Sequence, residues 1–158
     1  MVRQRGTDSR GSRALSSAIR LIVDASVATK WLFDEDGSLE ADRLRDPSYD
    51  LVAPDFLHLE VANVVWKRVR QGRLPIDSGG GMLRLLRTAP VRMHRSQAIL
   101  DVAWEIATRL GRTVYDSLYL ALAVTLDGRV VTADRRFYDA VARSAFAESV
   151  LWIGDVPE

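Results

Sequence analysis

Four carboxylates carry the chemistry that this sequence could perform. Asp24 and Asp134 each follow a short apolar run, in LIVDAS and VVTADRRF. Glu60 lies within PDFLHLEVANVVWK, and Asp116 lies near the start of TVYDSLYLALA. Carboxylates gathered at one point repel one another and raise their pKa values, and divalent cations relieve that repulsion. Such a site suits phosphodiester hydrolysis: one ion lowers the pKa of the attacking water, and a second, roughly 3.5–4 Å away, stabilises the leaving oxygen.

Each acid also has an ordinary structural explanation. Aspartate is a common helix cap, which would account for Asp24 and Asp134 singly. Glu60 shares a helical stripe with Asn63, which is typical of an exposed helix face. Asp116 would be favoured by the dipole of the helix that it begins. Burying that carboxylate in so apolar a helix would still cost several kcal/mol unless it were paired or bound to a metal. The four acids taken together therefore favour a common site, with Asn63 in support.

The elements that must position these acids can be predicted from apolar patterns. Strands are expected over 19–23, 49–54, 91–94, 129–133 and 149–154. Helices are expected over 27–33, 39–44, 55–70, 76–89, 96–111, 113–126 and 135–145. Ser26 is the predicted N-cap of the first helix, and the glycine triplet 79–81 weakens the prediction of the fourth. Strands that alternate with helices predict an α/β domain with a mainly parallel sheet. The carboxyl ends of its strands share one edge, which would bring Asp24 and Asp134 together.

Composition limits the kind of metal that the site could hold. The chain of 158 residues has no cysteine and two histidines, His58 and His94, with 47% hydrophobic and 27% charged residues. Without cysteine, neither a disulfide framework nor a thiolate metal site is possible. A metal would be bound by oxygen ligands, which suits Mg²⁺ or Mn²⁺.

Charge and polarity divide the chain into an arm and a domain. The net charge is +1, yet residues 1–20 contain five arginines and one aspartate. We predict a flexible basic arm over 1–18 and a single domain over 19–158. The arm is either a solvated tail, which includes the case of a start codon placed too far upstream, or a nucleic-acid contact. The apolar run at 14–23 is interrupted by Arg20, so neither a signal peptide nor a membrane segment is expected and the predicted location is the cytoplasm.

The four acidic stretches, in this order, resemble the motifs of PIN-domain ribonucleases, above all the VapC-type toxins of toxin–antitoxin pairs. The resemblance covers about 21–154 and implies a three-layer α/β/α sandwich around a five-stranded parallel sheet. It also implies Mg²⁺- or Mn²⁺-dependent RNA cleavage, a cognate antitoxin and a homodimer. By these motifs Asp24 and Asp116 would be direct metal ligands, and Glu60 and Asp134 would complete the site directly or through water. Ser26 and Thr132 match small hydroxyl positions beside the acids.

An acidic site repels phosphate, so affinity for RNA has to come from basic residues nearby. The candidates that we single out are Lys30, Lys67, Arg112 and Arg135. The expected substrate is a structured cellular RNA such as a tRNA or rRNA loop, and Trp66 could contact an antitoxin helix.

Two other functions stay open at this point. One is a catalytically silent PIN-fold module that binds RNA or protein. The other is a haloacid-dehalogenase-like phosphatase, which also places an aspartate after its first strand. That enzyme class has a second aspartate two residues further on, where this chain has Ser26.

Overall fold

The computed structural model describes residues 18–157, and the predicted arm therefore lies almost wholly outside the described residues. This part of the chain contains five strands: β1 Ile19–Val23, β2 Tyr49–Pro54, β3 Val91–His94, β4 Arg129–Thr132 and β5 Val150–Trp152. It contains seven α-helices: α1 Ala25–Ala28, α2 Ser38–Arg43, α3 Leu57–Arg70, α4 Ile76–Leu86, α5 Leu100–Leu110, α6 Val114–Leu126 and α7 Arg135–Ala142. Short 3₁₀ turns follow α1 and precede α5 and β5.

The strands form one parallel sheet in the order β3-β2-β1-β4-β5. The chain runs outward from β1 to β3 and then returns to add β4 on the other side of β1. Ligands of open α/β sheets bind outside the carboxyl ends of the strands at such a reversal of strand order. Flanking helices complete the predicted three-layer α/β sandwich, and β3 is the edge strand that its sequence predicts.

The sheet and its neighbouring helices form one apolar core. The inner strands β1 and β4 are buried over Leu21–Val23 and Val130–Thr132, which explains their unbroken apolar sequences. Helix α6 packs on β1, β2 and β4 and is buried from Ser117 to Ala123, although Asp116 in its first turn remains half-buried. Apolar burial of this kind contributes about 25 cal/mol for each Å² removed from water. The carboxylate thus stands where a fully packed helix begins.

The glycine triplet does not prevent helix α4, because one of its members is required by packing. A Cβ on Gly79 would lie 3.3 Å from Val65 Cγ1 and 3.4 Å from Val69 Cγ2, both on α3. Gly80 and Gly81 face only the flexible end of Arg84. Close contact at Gly79 therefore offsets the low helix propensity of the triplet and fixes α4 against the helix that carries Glu60.

Two predicted helix starts are wrong. Ser26 is not an N-cap, because Asp24 occupies that position and Ser26 lies inside α1. Ser96 begins a 3₁₀ turn over Ser96–Ile99 rather than the α-helix itself. Its backbone N–H and hydroxyl both donate to Asp55 Oδ1, at 3.2 and 2.5 Å, so that the turn is tied to the end of β2.

Candidate active site

Asp24 lies at the reversal of strand order, directly after the central strand β1. Its backbone N–H donates to the carbonyl of Val131 on β4 at 3.2 Å. Its Oδ2 atom accepts hydrogen bonds from the hydroxyls of Ser26 and Thr132, each at 2.6 Å. The side chain is therefore oriented by two neutral donors rather than by a cation of the protein. Such donors hold a carboxylate in place without neutralising it.

Thr132 connects the two aspartates that end strands. Its hydroxyl donates to Asp24 Oδ2 and accepts the backbone N–H of Asp134 at 3.0 Å. The Ser26 hydroxyl lies 3.3 Å from the Thr132 hydroxyl and accepts the N–H of Ala133 at 2.9 Å. Thr132 has no exposed surface, so these bonds are made within the fold. Ser26 and Thr132, which match hydroxyl positions beside the acids, thus both donate a hydrogen bond to the Asp24 carboxylate.

Asp134 is exposed and forms the N-cap of α7. Its Oδ1 atom accepts the backbone N–H groups of Arg136 and Phe137 at 2.9 and 3.2 Å. This is the structural explanation that aspartate before a helix always offers. Both hydrogen bonds end on Oδ1, and Oδ2 has no such donor among the described residues.

Glu60 projects from the first turn of α3 and has a partner that the sequence did not suggest. The hydroxyl of Tyr119, on α6, donates to Glu60 Oε2 at 2.5 Å. Tyr119 is 2% exposed, so this hydroxyl has to find its acceptor inside the protein. Burial and the nearby negative charge of Asp24 raise the pKa of Tyr119, which keeps the hydroxyl protonated and donating. A signal was present in retrospect, since Tyr119 is three residues after Asp116 on the same helix face.

Asp116 forms an ion pair with Arg112, which lies four residues earlier, just before the cap of α6. Arg112 Nη2 lies 2.9 Å from Asp116 Oδ2, and both side chains are half-buried. The N–H of Asp116 donates to the Thr113 hydroxyl, which caps α6. The guanidinium carbon of Arg112 is 5.9 Å from the ring centre of Phe137. Arg112, predicted as an RNA contact, is thus the ion-pair partner of a candidate metal ligand.

The pKa shifts of Asp24 and Glu60 show electrostatic interaction among three of the four acids. Burial is the main cause that raises the pKa of Asp24; the hydroxyls of Ser26 and Thr132 oppose it, and the charge of Asp116 adds to it. Burial likewise raises the pKa of Glu60, opposed by Tyr119 and assisted by the charges of Asp24 and Asp116. Asp24 and Glu60 therefore both feel the negative charge of Asp116, and Glu60 also feels that of Asp24. Asp134 does not contribute to these shifts.

These acids have the donor chemistry of a site for a hard divalent cation, because carboxylate oxygens are the ligands that Mg²⁺ and Mn²⁺ prefer. Repulsion among three carboxylates is what a cation would relieve. Within residues 18–157, however, no three acidic or histidine side chains lie close enough together to bind one metal ion. Asp116 is held by Arg112 and Asp134 by its own helix, so these two side chains have to turn inward before four acids can converge.

The predicted RNA contacts differ in their exposure and in the partners that they already have. Lys30 is largely buried, with its ammonium 3.3 Å from Glu35 Oε1 and donating to the Asp36 carbonyl. Arg135 is exposed, and its guanidinium carbon lies 3.7 Å from the ring centre of Trp152. Lys67 is exposed on the last turn of α3. Arg135 and Lys67 thus stay open to a phosphate, whereas Lys30 is bound to the acidic loop after α1.

The α/β sandwich with carboxylates at its strand reversal defines a class of fold, and comparison with known proteins identifies the family. The PIN domain family matches residues 21–142. Ribonuclease VapC3 of Pyrobaculum aerophilum is 34% identical over 120 residues, which are 75% of this chain and 92% of that protein. Ribonuclease VapC9 of Mycobacterium tuberculosis is 29% identical over 122 residues, 75% of this chain and 89% of that protein. The chain belongs to the PIN domain family.

Solved structures agree on the fold. PAE2754 of Pyrobaculum aerophilum aligns with a TM-score of 0.64 at 21% identity and covers 87% of this chain and 85% of its own. Mycobacterium tuberculosis VapC20, described as a toxin that cleaves the sarcin–ricin loop, aligns with a TM-score of 0.58 at 15% identity, with coverages of 76% and 94%. At these identities the likeness concerns the fold, and it confirms the predicted α/β class. In the described residues no helix is long and apolar enough to cross a membrane.

Proposed function

We propose that this chain is a metal-dependent endoribonuclease and the toxin of a toxin–antitoxin pair, acting in the cytoplasm. The observation that carries the proposal is the placement of Asp24 at the strand reversal, within the field of Glu60 and Asp116. Membership of the PIN domain family and the ribonuclease names of its relatives support the reaction class. The family match also argues against the phosphatase alternative.

The proposed roles of the four acids come from the PIN-domain motifs that they match, and three of these acids already have a contact that orients one oxygen. Hydrogen bonds or an ion pair fall on Oδ2 of Asp24, Oε2 of Glu60 and Oδ2 of Asp116. Asp24 and Asp116 would hold a divalent cation, Mg²⁺ or Mn²⁺. Glu60, and the free Oδ2 of Asp134, would complete the site directly or through water. When bound, the cation supplies an activated water and stabilises the leaving oxygen of the phosphodiester.

The residues of the chain prepare this chemistry in three ways. Ser26 and Thr132 orient Asp24, and Tyr119 orients Glu60, so that these two acids are held in place before the cation binds. Arg112 compensates the charge of Asp116 until the carboxylate turns toward the cation. Arg135 and Lys67 are both exposed and would contact the RNA backbone. The expected substrate is an unpaired loop of tRNA or rRNA.

Protein partners complete the proposal. A cognate antitoxin would cover the apolar groove between α3 and α4, where Trp66 and Ile76 are exposed and Gly79 lies at the base. An amphipathic helix laid into a hydrophobic groove is a common recognition mode. We also expect a homodimer, for which light scattering of the purified chain is the direct measurement.

The deciding experiment is cleavage of total cellular RNA by the purified chain with Mg²⁺, Mn²⁺ or EDTA. We expect cleavage that requires metal and that falls by roughly 100-fold or more in Asp24→Asn and Asp116→Asn, because each variant removes a negative charge that would hold the cation. Asp101→Asn, at an exposed acid on α5, is the matched control and should cleave like the wild type. Full activity in both site variants, with contaminating nuclease excluded, would contradict the mechanism.

A further inference from the structure

A recess of about 410 Å³ opens beside Glu60 on the surface of the domain. It is lined by Phe56, Leu59, Glu60, Asn63 and Tyr115. All but Tyr115 belong to one stripe at the start of α3, and Tyr115 reaches across from the first turn of α6. Leu59 and Tyr115 are 68% and 62% exposed, so the recess is open to solvent. The roles proposed for the acids and for the predicted RNA contacts do not account for these large apolar side chains at the surface.

The aromatic wall of the recess is fixed to the acidic site. The ring of Phe56 packs edge-to-face against Tyr115 and against Tyr119, with ring centres 5.5 Å apart in both pairs. Tyr119 in turn donates to Glu60. Edge-to-face pairs have a definite geometry, which restrains the Tyr115 ring even though most of its surface is exposed. The exposed ring is consequently held at a set position relative to the carboxylates.

The lining selects a flat, uncharged molecule with polar edges. Glu60 makes the recess unfavourable for a phosphate, and Leu59, Phe56 and Tyr115 favour an apolar face. Asn63 offers both a hydrogen-bond donor and an acceptor at the same opening. Proteins recognise single-stranded RNA by stacking unpaired bases on aromatic rings and by hydrogen bonds to their edges. A nucleobase meets each of these requirements, whereas an apolar side chain of a protein would leave the Asn63 amide without a partner.

We propose that this recess binds the base of a nucleotide next to the scissile phosphate, stacked on Tyr115 and hydrogen-bonded by Asn63. The proposal rests on the proposed ribonuclease function, since it supplies the position of the base relative to the acids. Because Glu60 lines the recess and Tyr115 directly precedes Asp116, a base bound there would have its own phosphate close to the acidic site. Lys67, one turn beyond Asn63 on α3, is exposed and available to the following phosphate. The substrate is thereby defined as RNA with at least one unstacked base.

Binding of short RNA in EDTA tests the recess without depending on cleavage. Fluorescence anisotropy would compare the wild type with Tyr115→Ala, Tyr115→Phe and Asn63→Ala on single-stranded octanucleotides of each base and on an abasic octamer of equal charge. Loss of one aromatic stack should weaken binding by about tenfold in Tyr115→Ala, and Tyr115→Phe should bind nearly as the wild type does. Asn63→Ala should reduce the preference among the four bases. On the abasic octamer all four proteins should bind alike.

Matched controls and the cleavage assay separate the possible failures. Trp104→Ala removes an aromatic side chain that is 63% exposed on α5 and should leave binding unchanged. Equal affinity of the wild type and Tyr115→Ala, or an equal loss on the abasic octamer, would overturn the base site. The base site would also be overturned if Tyr115→Ala bound RNA normally but escaped inhibition by the antitoxin. The recess would then be a contact for protein and not for a base. RNA binding through Tyr115 without any cleavage in Mg²⁺ would overturn the proposed nuclease and leave the base site standing.

Discussion

Asp24 and Asp134 have the same sequence context and opposite structural surroundings. Each follows an apolar strand and precedes a helix. Asp24 is half-buried and takes two side-chain hydroxyls on one oxygen, whereas Asp134 is exposed and takes two backbone N–H groups from its own helix. The charge of Asp116 adds to the effect of burial in raising the pKa of Asp24. Position in the sheet makes the difference, because β1 is central and β4 brings Thr132 against it.

An aspartate at the end of a strand can therefore be oriented for a metal site or can cap the next helix. One neighbouring hydroxyl, that of Thr132, contacts both aspartates. Thr132 donates to the Asp24 carboxylate and accepts from the Asp134 backbone. The sequence pattern alone does not separate the two roles. Substitutions at these three positions can.

Apart from loss of the acids themselves, the largest effect on cleavage is expected at Thr132, which orients Asp24. Thr132→Val removes the hydroxyl while keeping the shape, and it should lower the rate of RNA cleavage about 10- to 100-fold, as loss of a partner to a metal ligand commonly does. Thr132→Ser keeps the hydroxyl and should retain most of the activity. Cleavage rates in Mg²⁺ measure the effect, and urea unfolding shows whether the fold is intact. Equal rates for the two variants would show that the Asp24 carboxylate needs no orienting bond from this residue.

An intermediate effect, on stability, is expected at Asp134. Asp134→Ala removes the cap of α7 and should lower the free energy of unfolding by about 0.5–2 kcal/mol. Asn caps helices as well as Asp does, so Asp134→Asn should stay close to the wild type in urea denaturation. If Asp134 also binds the cation, Asp134→Asn will lose cleavage while keeping stability. A variant that keeps both would confine Asp134 to the helix cap.

The smallest effect is expected in the pH dependence of stability without metal. Since burial raises the pKa of Asp24, the folded protein holds that proton more tightly than the unfolded chain does. The resulting stability is complete below the usual pKa of 3.8 and is lost as the pH rises through the raised value. In EDTA, Asp24→Asn should therefore gain on the wild type from acid toward neutral pH, as followed by urea midpoints. Mg²⁺ should narrow the gap by stabilising the wild type. Urea midpoints of the two proteins that change in parallel with pH would contradict a raised pKa of Asp24 in the folded protein.

Much of this fold follows from local patterns in the chain. The apolar strands at 19–23 and 129–133 and the periodic helices at 55–70 and 113–126 specify their own elements, and strand-to-helix alternation specifies the parallel sheet. Helix starts were harder, because Asp24 and Ser26 are both good caps and only the approach of β4 decides between them. The glycine triplet could not be judged before Gly79 was seen against Val65.

The partners of the acids were harder to predict than the acids. Tyr119 read as one more apolar residue of α6 until α3 placed Glu60 within reach of its hydroxyl. Arg112 and Lys30 read as free cations, and both turned out to have acidic partners nearby in the chain, Asp116 and Glu35. Such pairings depend on how loops and helix turns bend. The metal role of the four acids and the RNA contacts remain predictions.

The bond between Thr132 and Asp24 spans 108 residues of sequence. Helices such as α3 and α5 can form early from local contacts, but β4 reaches β1 only after most of the domain has been made. A nascent chain that emerges from the ribosome amino end first carries Asp24, Glu60 and Asp116 well before it carries Thr132. Orientation of the first acid therefore has to wait for β4, the fourth of the five strands to be made. Through most of the synthesis of this domain, the nascent chain thus carries Asp24 without the Thr132 hydroxyl that orients it.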